Sequence, residues 1–121
     1  MKNSIEKLLA EIPPSQVKKG EKLLLESDDV VSVKYWYDEG VNIFEAMIAY
    51  RGGILMPYLM TGEDDVLVCQ CEQEDTLCVH KIAVLLAAQV MLEADCSDYH
   101  MALKIKTAQA MERILHLFPK S

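Results

Sequence analysis

Cys69-Gln70-Cys71, six further residues and then Cys78-Val79-His80 form the stretch on which the fold of this chain depends. It places three thiols and one imidazole within twelve residues, whereas the rest of the chain holds one cysteine and two histidines. Three thiolates and one imidazole make a complete tetrahedral ligand set for zinc. We therefore predict a structural zinc site at Cys69, Cys71, Cys78 and His80.

The spacing of these ligands predicts where each one lies. Residues two apart in a strand point the same way, so Cys69 and Cys71 can converge as a strand ends. Cys78 and His80 would diverge within one regular helix, so we place Cys78 at a helix cap and His80 in the first turn. The positive end of that helix then stabilises the thiolates. Zinc would join the exit of a sheet to the start of a helix.

Length and composition indicate one globular domain over residues 1–121. The chain is 51% hydrophobic and 26% charged, which is ordinary for a folded domain. Its longest apolar run is shorter than the roughly 20 residues that span a bilayer, and no secretory leader is recognisable. We expect a cytoplasmic protein with no membrane role. In a reducing compartment its cysteines are more often metal ligands than disulfides.

Hydrophobic periodicity predicts an α+β fold. A small antiparallel sheet of three to four strands is followed by a zinc knuckle and a buried helix, with further helices at both ends. The buried face of the first strand is assigned to Val31, Val33, Tyr35 and Tyr37. A third strand over residues 54–60 contains Pro57, which indicates an edge or a bulge. The helix over residues 78–93 is apolar nearly all round and is predicted to be central.

The last helix follows Ser97 and carries an apolar stripe at helical spacing, which we expect to cover the central helix. Its members are Met101, Ile105, Ala108, Met111, Leu115 and Phe118.

Charge is distributed unevenly along the chain. The total is −7, but residues 1–22 carry +2 and residues 101–121 carry +3, which leaves −12 in the middle. A negative total disfavours simple nucleic-acid binding, because Lys and Arg supply most of the non-specific affinity. The two ends are either solvated helix faces or, if they pack side by side, a local basic surface. The candidates for that surface are Lys18, Lys19, Lys22, Lys104, Lys106 and Arg113.

Two further features are candidate partner contacts. Trp36 shares a strand face with Ser32 and Lys34, so it either lies near solvent, where a base or partner could stack, or packs under the amino-terminal helices. The spacer between the two ligand pairs is acidic and would face a basic partner. Its charged residues are Glu72, Glu74 and Asp75.

The pattern Cys-x-Cys, a spacer and Cys-x-His at the start of an apolar helix resembles the SWIM-type zinc finger family. The resemblance covers residues 15–92, includes Val17-Lys18-Lys19-Gly20 and His80 to Ala87, and leaves residues 1–14 and 97–119 as flanking helices. The chain looks like a small stand-alone member of bacterial or phage-like type. The resemblance implies zinc binding with protein or nucleic-acid contact, beside DNA-translocating or DNA-processing enzymes. Relatives often carry basic residues around the sheet, whereas this spacer is acidic.

Two functions remain open at this point. The first is a protein–protein adaptor that presents an acidic knuckle and the sheet to a partner such as a DNA-processing enzyme. The second is direct DNA or RNA binding through the basic terminal helices. We do not expect an enzyme or a small-molecule substrate, since a four-ligand zinc has no position for an activated water, and neither a phosphate-binding loop nor a deaminase signature is present.

Overall fold

The computed structural model describes residues 2–71 and 77–117. These residues form an antiparallel sheet followed by a helix after the cysteine cluster, with helices at both ends, so the predicted α+β class is confirmed. In chain order the elements are α1 (Lys2–Ala10), α2 (Pro14–Leu25), β1 (Val30–Asp38), β2 (Val41–Tyr50), β3 (Gly53–Leu55), β4 (Tyr58–Thr61), β5 (Val66–Val68), α3 (Val79–Ala94) and α4 (Tyr99–Leu117). No helix among the described residues is long and apolar enough to cross a bilayer.

The long strand β2 organises the sheet. It pairs with β1 on one side, and on the other side with β4 near its start and β3 near its end, while β5 pairs with β4. The turns before and after β2 contain Glu39-Gly40 and Arg51-Gly52, all with positive φ. Two consecutive positive φ angles are typical of the tight hairpin turns that match strand twist.

Pro57 divides the predicted third strand. Residues 53–55 and 58–61 pair with different parts of β2, so the prediction of one continuous strand over residues 54–60 was wrong. Pro57 is buried between them, and its carbonyl accepts a hydrogen bond from the Ala46 amide at 2.9 Å. Proline has no amide hydrogen to donate, which explains why regular pairing stops here.

The inner face of β1 differs from the predicted one at both ends. The register shifts between Val30 and Ser32, and this irregularity turns Val30 into the core and leaves Val31 52% exposed. Val33 is buried and Tyr35 half-buried, as predicted, but Tyr37 is 64% exposed near the hairpin turn. A bulge changes which residues face inward without changing the sequence alternation, so alternation alone could not place Val31.

Helix α3 is the centre of the core, which confirms the prediction. It packs against β2 and β4 and against all three other helices. The row that runs across the inner face of the sheet beneath it is Tyr35, Phe44, Leu59 and Leu67. A helix covered on several sides needs apolar residues all round, which explains its composition.

Gly20 lies where α2 approaches α3 most closely. A Cβ built at Gly20 would lie 2.4 Å from Ile82 Cγ2 and 3.0 Å from Ile82 Cβ. Ile82 is fully buried and branched at Cβ, so it has little freedom to move aside. Glycine inside a helix costs stability, and here the cost is explained by the close approach.

Helix α4 presents a different face to the core than predicted. Tyr99 and Ala102 are buried and Leu103 is half-buried against the core, whereas Met101, Met111 and Leu115 are 52%, 54% and 60% exposed. The predicted stripe therefore does not cover α3. Its last member, Phe118, lies outside the described residues.

The start of α4 is fastened to strand β1. The Asp98 carboxylate accepts a hydrogen bond from the Met101 amide at 3.0 Å and forms an ion pair with Lys34. The Tyr35 amide donates to the Ser97 carbonyl at 2.9 Å. The hydrogen bond from Lys34, followed by that from Met101, lowers the pKa of the Asp98 carboxyl.

Replacing Gly20 with alanine should lower the free energy of unfolding. Overpacking against Ile82 costs about 1–3 kcal/mol, of which the better helix propensity of alanine recovers up to about 1 kcal/mol. Urea denaturation monitored by circular dichroism measures the difference. Lys19→Ala, at an exposed neighbouring position, is the control and should change stability by less than about 0.5 kcal/mol. Equal or greater stability of Gly20→Ala would contradict the packing argument.

Asp98→Ala should destabilise the protein by about 1–2 kcal/mol, because α4 loses its cap. Asp98→Asn keeps a capping oxygen and removes only the charge, so its loss should be smaller. Since the carboxylate is favoured in the folded state, its stabilisation is present above the ordinary pKa of 3.8 and is lost as the pH falls through the lower folded value. Denaturation curves at neutral and acidic pH test this, and a difference between wild type and Asp98→Asn that did not shrink in acid would contradict it.

Candidate metal centre

The structure brings all four predicted ligands together. One ligand atom from each of Cys69, Cys71, Cys78 and His80 lies within 4.8 Å of the others. All four residues are buried, and none of the three cysteines forms a disulfide bond within the described part of the chain. A tetrahedral ion with metal–sulfur bonds of about 2.3 Å has sulfur–sulfur edges of roughly 3.8 Å. The cluster therefore needs only small side-chain adjustments to close around one ion.

Two elements deliver the ligands from opposite directions. Cys69 comes directly after β5, and Cys71 lies two residues further along. Cys78 is the N-terminal cap of α3 in an extended conformation, and His80 lies in the first turn. This arrangement is the one that the spacing predicted. The unpaired amides and positive end of α3 lie beside the thiols, where they favour negative charge.

The electrostatics of the cluster favour a bound cation. Burial is the main reason that the pKa of the Cys69 thiol is raised to about 12. A backbone hydrogen bond with Cys71 lowers this pKa, whereas side-chain hydrogen bonds with Cys71 and Cys78 and repulsion from Cys78 raise it. Burial lowers the pKa of His80, which keeps its imidazole neutral. His80 Nδ1 is buried and has no hydrogen-bond partner among the described residues. A buried ring nitrogen without a partner is costly, and a metal ion that displaces the thiol protons would bind this nitrogen together with the three sulfur atoms.

Residues of β2 and β3 surround the cluster. Tyr50 contacts the His80 ring edge-on, with ring centroids 5.3 Å apart, and Leu55 packs against the cysteines. Gln70, between the first two ligands, accepts a hydrogen bond from the Met56 amide at 3.1 Å through Oε1. These contacts shield the site and hold the first ligand loop. Nothing in the sequence indicates the contact between Tyr50 and His80, because this contact depends on tertiary packing.

The acidic spacer residues Glu72, Glu74 and Asp75 lie outside the described residues. Trp36 is 42% exposed on the outer face of β1, so packing under the amino-terminal helices, the alternative considered above, is wrong.

Acidic side chains lie among the predicted basic residues. Lys18 and Lys22 line a groove together with Glu21 and Glu26. Lys106 pairs with Glu93 at 3.1 Å. Of the remaining three, Lys19 lines a groove beside Cys78, and Lys104 and Arg113 are exposed on α4. Acidic side chains thus lie between the lysines of α2, and on α4 Lys106 is paired with an acidic side chain.

Periodicity within the single strands did not reveal a continuous apolar row on the outer face of the sheet. Cross-strand pairing places Trp36, Ile43, Met60 and Val66 side by side, and we call these four residues the outer row. Trp36 and Val66 are 42% and 43% exposed, and Ile43 and Met60 are half-buried. The described helices pack on the opposite face. Each strand alternates visibly in the sequence, but only the register shows that the four residues align.

An acidic end borders the outer row. It consists of the turn after β1 and the turn before β5, which are in contact: a Cβ on Gly62 would lie 3.3 Å from the Gly40 carbonyl oxygen. The exposed carboxylates of the acidic end are Asp38, Glu39, Glu63, Asp64 and Asp65.

Comparison with known proteins does not extend these observations. No protein-family model, curated protein or solved structure matches the chain.

We expect the purified protein to contain one tightly bound metal ion per chain, which elemental analysis would identify. Cys78→Ser should lose the ion and much of the folded structure, since a structural site contributes on the order of 10 kcal/mol to folding. Metal content and thermal unfolding measure both effects. Cys96→Ser is the matched control, because Cys96 lies outside the cluster and its thiol donates to the Asp98 carbonyl. A Cys78→Ser protein with wild-type stability would contradict a structural metal.

Proposed function

We propose that this chain is a zinc-stabilised, SWIM-type interaction module that acts as a protein–protein adaptor. The observation that carries the proposal is the outer row beside the acidic end, on a face of the sheet that no described element covers. The metal centre supports it indirectly, since it fixes the sheet against α3. In this proposal zinc is structural.

Zinc is the metal that suits the donor set best. Three thiolates and one imidazole are soft and borderline ligands, which favour zinc over magnesium or calcium. Four protein ligands complete a tetrahedral shell and leave no position for substrate or activated water. The proposed role is therefore binding rather than catalysis.

The outer row supplies the apolar part of a binding surface. Rows of exposed apolar side chains are uncommon on monomeric proteins and mark contact sites. Tryptophan and methionine are enriched in protein interfaces. The row runs from Trp36 on β1 to Val66 on β5. Between them it crosses β2 and β4, and each of these strands pairs with the next.

The acidic end sets the chemistry of the partner. Five exposed carboxylates in two touching turns attract lysine and arginine side chains and repel phosphate. The partner that matches this surface is a protein segment with basic residues next to apolar ones. The SWIM-type resemblance suggests a DNA-processing enzyme as the source of such a segment.

Binding is tested with a synthetic peptide that alternates lysine and leucine, and with the matching glutamate and leucine peptide. The zinc-loaded full chain should bind the basic peptide preferentially in fluorescence anisotropy. Trp36→Ala should weaken this binding about tenfold or more, as expected for a hot-spot aromatic. Joint reversal of Glu63, Asp64 and Asp65 to lysine should weaken it by at least as much.

The control reverses three exposed acids on the helical side of the molecule, Glu6, Glu11 and Glu26, and changes the net charge equally. Its binding should fall much less. If both triple variants lost the same affinity for the basic peptide, the loss would be explained by net charge alone. That result would count against the acidic end as the binding surface. Salt-sensitive binding of DNA or RNA that requires Lys18, Lys19, Lys104 and Lys106 would favour the nucleic-acid function instead.

A further inference from the structure

Helix α4 has apolar side chains on two opposite sides. Tyr99, Ala102 and Leu103 face the core. At 3.6 residues per turn, a second set points away from the core, and we call it the α4 stripe. Its members are Met101, Ile105, Ala108, Met111 and Leu115.

The second half of α4 extends beyond its contacts with the core. Every described side chain from Thr107 to Leu115 is exposed, including Ile114 at 50%. Isolated helices shorter than about 12–15 residues are marginal in water, because most helix stability in proteins comes from packing of an apolar face. A partner on the stripe would supply that packing.

The α4 stripe is symmetric about Ala108. Met101 and Leu115 lie seven residues to either side of it, and Ile105 and Met111 lie three to either side. We propose that α4 pairs with α4 of a second copy of this chain, antiparallel, with the two-fold axis passing beside Ala108. Such an arrangement brings Met101 level with Leu115 of the other copy and Ile105 level with Met111. The same surface then serves both copies, as a two-fold interface requires.

Charge supports the same register. Lys104 and Glu112 lie on the same side of the helix as the α4 stripe, four residues to either side of Ala108. The antiparallel pair therefore brings each lysine level with a glutamate of the other copy. Within one helix the two are about 12 Å apart along the axis, too far for an ion pair. A parallel pair would place like charges level with each other. Complementarity across the two-fold axis is therefore specific to the antiparallel register.

Ala108 suits the point where the helices cross. Its small side chain lets two backbones approach closely, while the larger side chains pack on both sides. Residues 101–115 span about 21 Å of helix. A pair of single helices is a small interface, so we expect a dimer that dissociates on dilution.

Sedimentation of the zinc-loaded full chain from micromolar to millimolar concentration tests the pairing. Wild type should shift from monomer to dimer. Lys104→Glu places two carboxylates level across the interface and should raise the dimer dissociation constant about tenfold; Glu112→Lys should do the same with two lysines. The double variant Lys104→Glu, Glu112→Lys restores opposite charges and should return the constant towards wild type.

A cross-link tests the axis position independently. In a Cys96→Ser background, Ala108→Cys should form an intermolecular disulfide under mild oxidation. Ala110→Cys is the matched control, since Ala110 is also exposed but lies on the other side of the helix. The two alanines differ in the side of the helix on which they lie. Faster cross-linking at residue 108 than at residue 110 would therefore show that the α4 stripe faces the other copy.

A protein that stays monomeric over the whole range would overturn the proposal. So would a dimer that forms equally well in both single charge variants and cross-links as readily at residue 110 as at residue 108. Charge rescue in the double variant, together with selective cross-linking at residue 108, would establish the antiparallel pair. Neither outcome depends on the outer row, so failure of this interface and failure of the proposed adaptor function are distinguishable.

Discussion

The convergence of Cys69 and Cys71 from the sheet with Cys78 and His80 from α3 is the constraint on which the rest of the structure depends. Helix α3 contacts the sheet and every other helix, so its position fixes theirs. The four ligands set the point and direction in which this helix starts. An imidazole nitrogen without a hydrogen-bond partner among the described residues opposes folding, as does the burial of thiolates without a cation. A shared cation would turn the same groups into a link between sheet and helix.

The sheet separates two kinds of surface. Its inner row contributes Phe44 and Leu59 to the core, while its outer row keeps Trp36 and Val66 accessible. The inner and outer rows arise from the same strands, because each inward-facing residue is followed by an outward-facing one. The acidic turn precedes β5, whereas the candidate metal ligands follow it. The acidic end and the candidate metal centre therefore lie at opposite ends of the sheet. A partner can therefore contact the acidic end without approaching the ligands.

The sequence predicted much of this fold because its strongest signals are local. Ligand spacing placed Cys78 at the cap of α3 and His80 in its first turn, and apolar composition identified α3 as central. The errors arose where the outcome depends on other parts of the chain. A bulge turned Val31 outward, and Pro57 split one strand into two. These depend on pairing partners that periodicity within one strand does not reveal.

The same limit applies to the surfaces. The stripe on α4 was recognised, but whether it faces α3 depends on how Tyr99 and Ala102 enter the core. The outer row was missed because its four members lie far apart in sequence and meet only through the register. Basic residues were noted at both chain ends, yet their acidic neighbours, such as Glu93 beside Lys106, appear only in the folded structure.

The fastening of the α3–α4 loop to β1 also protects the molecule. An unpaired strand at the margin of a sheet is a template for strands of other chains, and so a starting point for aggregation. Here the Ser97 carbonyl accepts a hydrogen bond from the Tyr35 amide, and the ion pair of Asp98 with Lys34 places charge along the same margin. The Tyr35 amide, which could recruit a foreign strand, is thereby occupied by the chain itself. The loop that starts α4 thus also blocks growth of the sheet from the β1 side.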